Sequence, residues 1–178
     1  MADDRVTGNA APQNRTFDTP EELADYVAAW VVERALEQQR RFSVCLSGGS
    51  TPKRLYELLA TAPRLARFPW NRTHWFWGDE RVVPHNDRRS NFRMVREALL
   101  QRAPAPAENI HAIPTERMSP AACAAQYEVV RKRFYGADAL DGKRPLFDLT
   151  LLGLGEDGHI ASLFPRSAAL AETKRWVV

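Results

Sequence analysis

Three times in this 178-residue chain a short apolar run breaks directly into a polar turn that contains glycine. Phe42-Ser43-Val44-Cys45-Leu46 runs into Ser47-Gly48-Gly49-Ser50-Thr51-Pro52, and Thr73-His74-Trp75-Phe76-Trp77 into Gly78-Asp79-Glu80-Arg81-Val82-Val83-Pro84. The third run, Phe147-Asp148-Leu149-Thr150-Leu151-Leu152, opens into Gly153-Leu154-Gly155-Glu156-Asp157-Gly158-His159. Short runs rich in aromatic, aliphatic and β-branched residues predict buried strands. Helical patterns lie between them, and strands alternating with helices predict a parallel sheet covered by helices, with right-handed crossovers. Parallel strands end on one edge of a sheet, so the three polar turns are expected to meet there, where open α/β sheets bind ligands.

The helical segments carry recognisable starts. Thr19-Pro20-Glu21-Glu22 predicts Thr19 as an N-cap, Pro20 at the first helical position and Glu22 closing a capping box. Leu23, Tyr26, Val27, Trp30, Val31 and Leu36 then form an apolar stripe, which makes Trp30 a core residue. Thr51 is expected to cap a second helix that has Pro52 at its first position, and Ser90 to cap a third over 91–100. Ser119-Pro120 opens a fourth, with apolar positions Ala122, Ala125, Tyr127, Val129, Val130 and Phe134. Residues 109–113 are expected to form a short strand and Arg175–Val178 to begin another. Ile160–Pro165 suits one helical turn stopped by Pro165. Residues 1–15 are polar and aperiodic and predict a flexible tail, leaving 16–178 as a single α/β domain.

Composition narrows the function. With 44% hydrophobic and 26% charged residues the chain is of globular type, and a net charge of +3 is too small for a nucleic-acid-binding stripe. Arg131-Lys132-Arg133 is the one basic triplet, and its helical context predicts a solvated face. No signal-like N-terminal pattern and no apolar run of membrane-spanning length occurs, so neither membrane nor nucleic acid is expected as a partner and the cytoplasm is the expected location. Cys45 and Cys123 have no metal-type spacing and predict buried free thiols.

The turns carry the candidate chemistry. A strand, a glycine turn and a helix in succession present free backbone N–H groups and a positive dipole end to a phosphate. Gly48 and Gly49 would let the backbone approach such an anion, and the Ser50 and Thr51 hydroxyls could donate to it. The spacing is not that of a Walker loop. Asp79, Glu80 and Arg81 are either site groups or a salt-bridged loop. His159 follows a glycine turn and is placed to project into a cleft.

Taken together, Leu46–Pro52, Gly78–Pro84 with Ser90-Asn91 downstream, and Gly153–Pro165 resemble the 6-phosphogluconolactonases in order and spacing. The resemblance covers most of residues 17–178. It implies a Rossmann-like α/β sandwich shared with sugar-phosphate isomerases and deaminases, and hydrolysis of 6-phospho-D-glucono-1,5-lactone, a sugar-phosphate lactone, with no cofactor and no metal. It further implies His159 as general base, Asp157 orienting that ring or shaping its turn, Asp79 lining the site, and Arg81 supplying charge to the phosphate or the oxyanion. Ser47, Gly48, Gly49, Ser50 and Thr51 would hold the phosphate side, with Asn91 and Gly158 among the binding residues. His74, His85 and His111 are expected to stand apart from catalysis. The related amino-sugar-phosphate deaminases carry a glutamate five residues after the histidine, where this chain has Phe164, and tend to have tyrosines at the places of Arg81 and Asn91. Sugar-phosphate sensors of the same fold call for a preceding helix-turn-helix, for which the polar N-terminal residues are too few. Family members run on for roughly another quarter of the chain, so the chain is expected to be truncated at its C-terminal side, to expose apolar surface and to be poorly active on its own. The oligomeric state is not legible.

Overall fold

A computed structural model describes residues 13–178, and most of the expected N-terminal tail, residues 1–12, lies outside the described residues. Four strands, β1 (Phe42–Leu46), β2 (Thr73–Trp77), β3 (Ile110–His111) and β4 (Leu149–Thr150), form one sheet in the order β3-β2-β1-β4. Every pairing is parallel, with Val44 opposite both Trp75 and Leu149. The chain moves from β1 to β2 and β3 on one side, then crosses to place β4 on the other. The order therefore reverses between β1 and β4, which is the switch point where doubly wound sheets open a ligand crevice.

Residue alternation sorts the two faces of β2. Trp75 and Trp77 point to one face, where they pack with Ala28 and Val31 of α1 (Pro20–Glu37), Leu55 and Leu59 of α2 (Ser50–Leu59), and Val95 of α4 (Asn91–Val95). The short helix α3 (Arg64–Arg67) leads to Phe68 and Trp70, whose rings stand 5.6 and 5.8 Å from that of Trp75. Phe76 points to the other face, 4.7 Å from Phe134 of α5 (Pro120–Tyr135) and 4.9 Å from Phe147. Ser43 fixes the register of β4: its N–H and hydroxyl donate to Asp148 Oδ2 at 2.8 and 2.7 Å, and its Oγ accepts from the Asp148 N–H at 3.0 Å. Among the described residues no helix is long and apolar enough to cross a membrane.

Helix starts at Thr19, Ser90 and Ser119 form as expected, each side chain accepting from a backbone N–H three residues on. Glu22, however, reaches past the N-cap and accepts from the Asp18 N–H at 3.2 Å. The stripe of α1 is rotated from expectation: Ala24, Ala28, Val31, Val32 and Ala35 are buried, while Trp30 is 37% exposed. Small alanines let α1 approach the sheet closely, and the larger Trp30 is left at the margin beneath Arg34. On α5 the buried line is Cys123, Ala124, Tyr127, Arg131 and Tyr135, so Ala125 and Val129 face solvent. Arg131 is therefore not part of a solvated triplet. It is 9% exposed, and its guanidinium donates to the carbonyls of Trp77 (2.9 Å) and Trp176 (3.3 Å) and lies over the Tyr127 ring.

Three further expectations are corrected. The third apolar run is not a buried strand: only Leu149–Thr150 pairs, on the edge of the sheet, and Leu152 is exposed. Residues 160–165 form no helical turn. Ile160 and Leu163 instead exchange backbone hydrogen bonds across a tight turn, with Ala161 at φ 53°. Arg175–Val178 forms no strand; its Trp176 N–H is held by Glu128. Helix 91–100 is present, but its second half, Arg96–Leu100, winds as a π-helical turn. Cys45 and Cys123 are buried and free, and burial pushes the Cys45 thiol up to about 11.

Candidate active site

The crevice at the switch point is a cleft of about 590 Å³. Its floor is the turn after β1, one wall is the turn after β4, and the opposite wall is the turn after β2 with the start of α4. Ser47, Gly48, Gly49, Ser50, Thr51, Asp79, Arg81, Asn91 and His159 all line it, whereas Asp157 and Gly158 lie behind His159.

The first turn is shaped by glycine and pinned by a tyrosine. Gly49 is the N-cap of α2 at φ 105°, a conformation L side chains rarely adopt. The helix thus starts at Ser50, two residues before the expected start at Pro52, and Gly49 stands as its cap in place of the expected Thr51. No side chain caps this end, so the N–H groups of Ser50 and Thr51, two residues that line the cleft, have no intrahelical partner. The buried Tyr56 hydroxyl accepts from the Ser47 N–H at 3.0 Å and donates to the Ser47 carbonyl at 2.8 Å. Burial raises the pKa of this phenol above its ordinary value, so it stays a neutral donor. Gly48 has a different reason to be glycine: a Cβ there would sit 2.2 Å from Asn91 Oδ1.

The second turn holds no ion pair among the described residues. Glu80 accepts from the N–H groups of Arg81, Asn91 and Phe92, each at 2.7 Å, and from the Ser90 hydroxyl at 3.0 Å. Its carboxylate therefore sits on the N-terminal end of α4, where the helix dipole favours negative charge. Asn91 Nδ2 donates to the Asp79 carbonyl (3.1 Å) and to Asp79 Oδ1 (3.3 Å), while Asp79 Oδ2 accepts from the Ser162 hydroxyl at 2.7 Å. Arg81 is exposed on the rim, with Nη1 donating to the Arg89 carbonyl at 3.1 Å.

In the third turn the Gly155 N–H donates to the His159 carbonyl at 2.9 Å and Gly158 takes φ 83°, so the chain doubles back and brings His159 over Gly155. A Cβ on Gly155 would lie 2.2 Å from the imidazole. Asp157 Oδ1 accepts from His159 Nδ1 at 2.5 Å and from the His159 N–H at 3.2 Å, so it both orients the ring and shapes the turn. The hydrogen bond from His159 holds the Asp157 carboxyl below the usual carboxylate range. With Nδ1 occupied, Nε2 has no hydrogen-bond partner among the described residues. Phe164 stacks on the imidazole with ring centroids 4.8 Å apart.

Tyr56 and Ser162 escaped the sequence reading, and Glu80, expected as a site group or part of a salt-bridged loop, instead holds the start of α4. Glu80 had a legible signal, since a carboxylate ahead of Ser90-Asn91 can cap the helix they begin. Ser162 had none, because its partner lies in another turn, and nothing local shows that the Tyr56 hydroxyl returns to Ser47, nine residues back. His74 and His111 stack on the far face of the sheet, and His85 is tied to the Ile113 carbonyl at 2.8 Å; none lines the cleft. Among the described residues no group of three or more His, Cys, Asp or Glu is placed to hold a metal ion.

The sequence model of the family described as glucosamine-6-phosphate isomerases/6-phosphogluconolactonase matches residues 18–178. The chain is 46% identical over 146 residues to a 6-phosphogluconolactonase of Nostoc sp., covering 82% of this chain and 58% of the relative. It is 37% identical to the chloroplastic 6-phosphogluconolactonase 3 of Arabidopsis thaliana, covering 91% of this chain and 51% of the relative. The chain thus spans little more than half the length of these relatives. Among solved structures, a 6-phosphogluconolactonase from Trypanosoma cruzi superposes with a TM-score of 0.78 at 32% identity, over 90% of this chain and 65% of the other.

Proposed function

The chain belongs to the glucosamine-6-phosphate isomerase/6-phosphogluconolactonase family, and from that premise we propose that its protein hydrolyses 6-phospho-D-glucono-1,5-lactone to 6-phosphogluconate. The observation that carries this reading is the state of His159: Nδ1 is bound to Asp157 and Nε2 is left open on a cleft whose floor is a glycine turn at a helix start.

The chemistry follows from that arrangement. A neutral imidazole that donates Nδ1–H to a carboxylate keeps a lone pair on Nε2 and can take a proton from water near pH 7. The hydroxide equivalent adds to the lactone carbonyl, C1, and the former carbonyl oxygen takes up the charge. Collapse breaks the bond from C1 to the ring oxygen, and the imidazolium returns its proton to that oxygen. Arg81 on the rim supplies positive charge to the oxyanion or the phosphate. The phosphate lies on the turn from Ser47 to Thr51, where the free N–H groups and hydroxyls donate to it, and Asn91, packed against Gly48, shapes that turn, while Gly158 shapes only the turn that carries His159. Asp157 holds the imidazolium as it forms. The deaminase alternative is weakened at Phe164, which puts an aromatic ring against His159 where proton transfer would need a carboxylate. Two buried free thiols fit a reducing compartment, and we place the protein in the cytoplasm.

The test is hydrolysis by the intact protein of freshly prepared 6-phosphogluconolactone beside unphosphorylated glucono-1,5-lactone. Turnover well above the spontaneous rate, with kcat/KM at least a hundredfold higher for the phosphorylated lactone, is expected. No acceleration would remove the lactonase reading, and equal use of both lactones would remove the phosphate from the Ser47–Thr51 turn.

A further inference from the structure

The turn that carries His159 is poorly anchored by packing. It hangs from an edge strand two residues long, and Leu154, Ile160, Leu163 and Phe164 within it are 76, 39, 40 and 48% exposed. Its backbone hydrogen bonds close on themselves, Gly155 with His159, Gly158 with Gly155, and Ile160 with Leu163. Apart from the next turn of its own chain, where the Ser167 N–H donates to the Phe164 carbonyl, a single hydrogen bond among the described residues ties 153–165 to the rest of the protein: Ser162 Oγ donates to Asp79 Oδ2 at 2.7 Å. An ionised acceptor makes such a bond short and stronger than a neutral pair.

The acceptor is itself held. Asn91 Nδ2 donates to Asp79 Oδ1 and to the Asp79 carbonyl, and Asn91 is 5% exposed on α4, whose first turn is fixed by Glu80. Both oxygens of Asp79 are thereby engaged by protein donors, one from each wall of the cleft. We propose that Ser162 is a positioning residue: its hydrogen bond to Asp79 is the strut that fastens the His159 turn to the β2 turn, and Asp79 serves as its anchor and not as a proton-transfer base. Two residues separate Ser162 from His159, and the Ile160–Leu163 and Leu154–Ile160 bridges join their turns, so displacement of Ser162 moves the imidazole.

The role of Ser162 in turnover rests on the lactonase reading; the strut itself does not. Two measurements on the intact protein separate them. In amide hydrogen exchange, Ser162→Ala is expected to speed exchange at least tenfold in peptides spanning 153–165 and to leave those of β1 and β2 unchanged. In lactone hydrolysis, the same variant is expected to lose about tenfold in kcat with KM within twofold, and Ser162→Thr, which keeps the hydroxyl, to recover both properties. If the parent is inert on the lactone but the exchange result holds, the strut stands and the lactonase reading fails. Unchanged exchange in Ser162→Ala overturns the strut whatever the kinetics. A parental kcat in Ser162→Ala, or a loss that Ser162→Thr does not restore, overturns the positioning role.

Discussion

Asp157 and Gly155 do their work entirely on one imidazole. Asp157 fixes which nitrogen of His159 carries the proton, and Gly155 provides the space in which the ring lies. Asp157→Asn keeps the shape but replaces an ionised acceptor, and kcat is expected to fall about 10- to 100-fold, part of the 10² to 10⁴ that positioned acid–base groups supply. Gly155→Ala puts a methyl group into the ring's place. Its kcat is expected to drop at least tenfold, while the melting temperature, read by circular dichroism, moves little because the turn is exposed. A Gly155→Ala protein with parental kcat would show that the imidazole is not held where it stands. Both residues sit within four positions of His159, which is why the sequence displayed them: a glycine-rich turn, a carboxylate and a histidine form a local unit. Ser162 acts across turns, and no local pattern announces a partner 83 residues away.

At the level of elements, the strands and helix starts were legible because each depends on neighbours in sequence. β1 and β2 have the expected bounds, and Thr19, Ser90 and Ser119 cap as their side chains dictate. Failures occurred where tertiary contacts decide. The choice between alanines and Trp30 as the inner face of α1 is made by the sheet it meets, and the exposure of β4 by what flanks it. Arg131 looked like one charge of three, yet helical spacing from Ala124 and Tyr127 turns it inward onto the Trp77 carbonyl. The turn after β1 offers a test at this scale. Tyr56→Phe leaves the Ser47 N–H and carbonyl without their partner, a cost of about 1–3 kcal/mol for buried polar groups. At about 2–4 °C per kcal/mol for a chain of this size, the melting temperature is expected to fall by several degrees. KM for the lactone should rise more than kcat falls. An unchanged KM would mean that this latch does not shape the binding turn.

Across the whole molecule, the sheet separates the cleft at the ends of its strands from a histidine pair on its far face. His74 Nδ1 and His111 Nε2 stand 3.1 Å apart among Phe76 and Phe134, with Arg41 laid over the Phe134 ring. Burial, and secondarily the neighbouring His74, lowers the His111 pKa from 6.5 to about 4; burial and Arg41 lower that of His74. The folded state therefore disfavours protons that the unfolded chain accepts below pH 6.5. Stability from this pair is fully present above pH 6.5 and is lost as the pH falls toward 4. Melting curves are expected to shift down between pH 7 and pH 4.5, and His111→Leu should flatten that slope; an equal slope in both would place the acid sensitivity elsewhere. The account as a whole turns on His159 as the base, and its most direct test is lactone turnover by the intact protein and by His159→Ala, with circular dichroism confirming the fold. The account predicts a parent that outpaces spontaneous hydrolysis and a folded variant about 10² to 10⁴ slower. A folded His159→Ala that turns over lactone at the parental rate would contradict it.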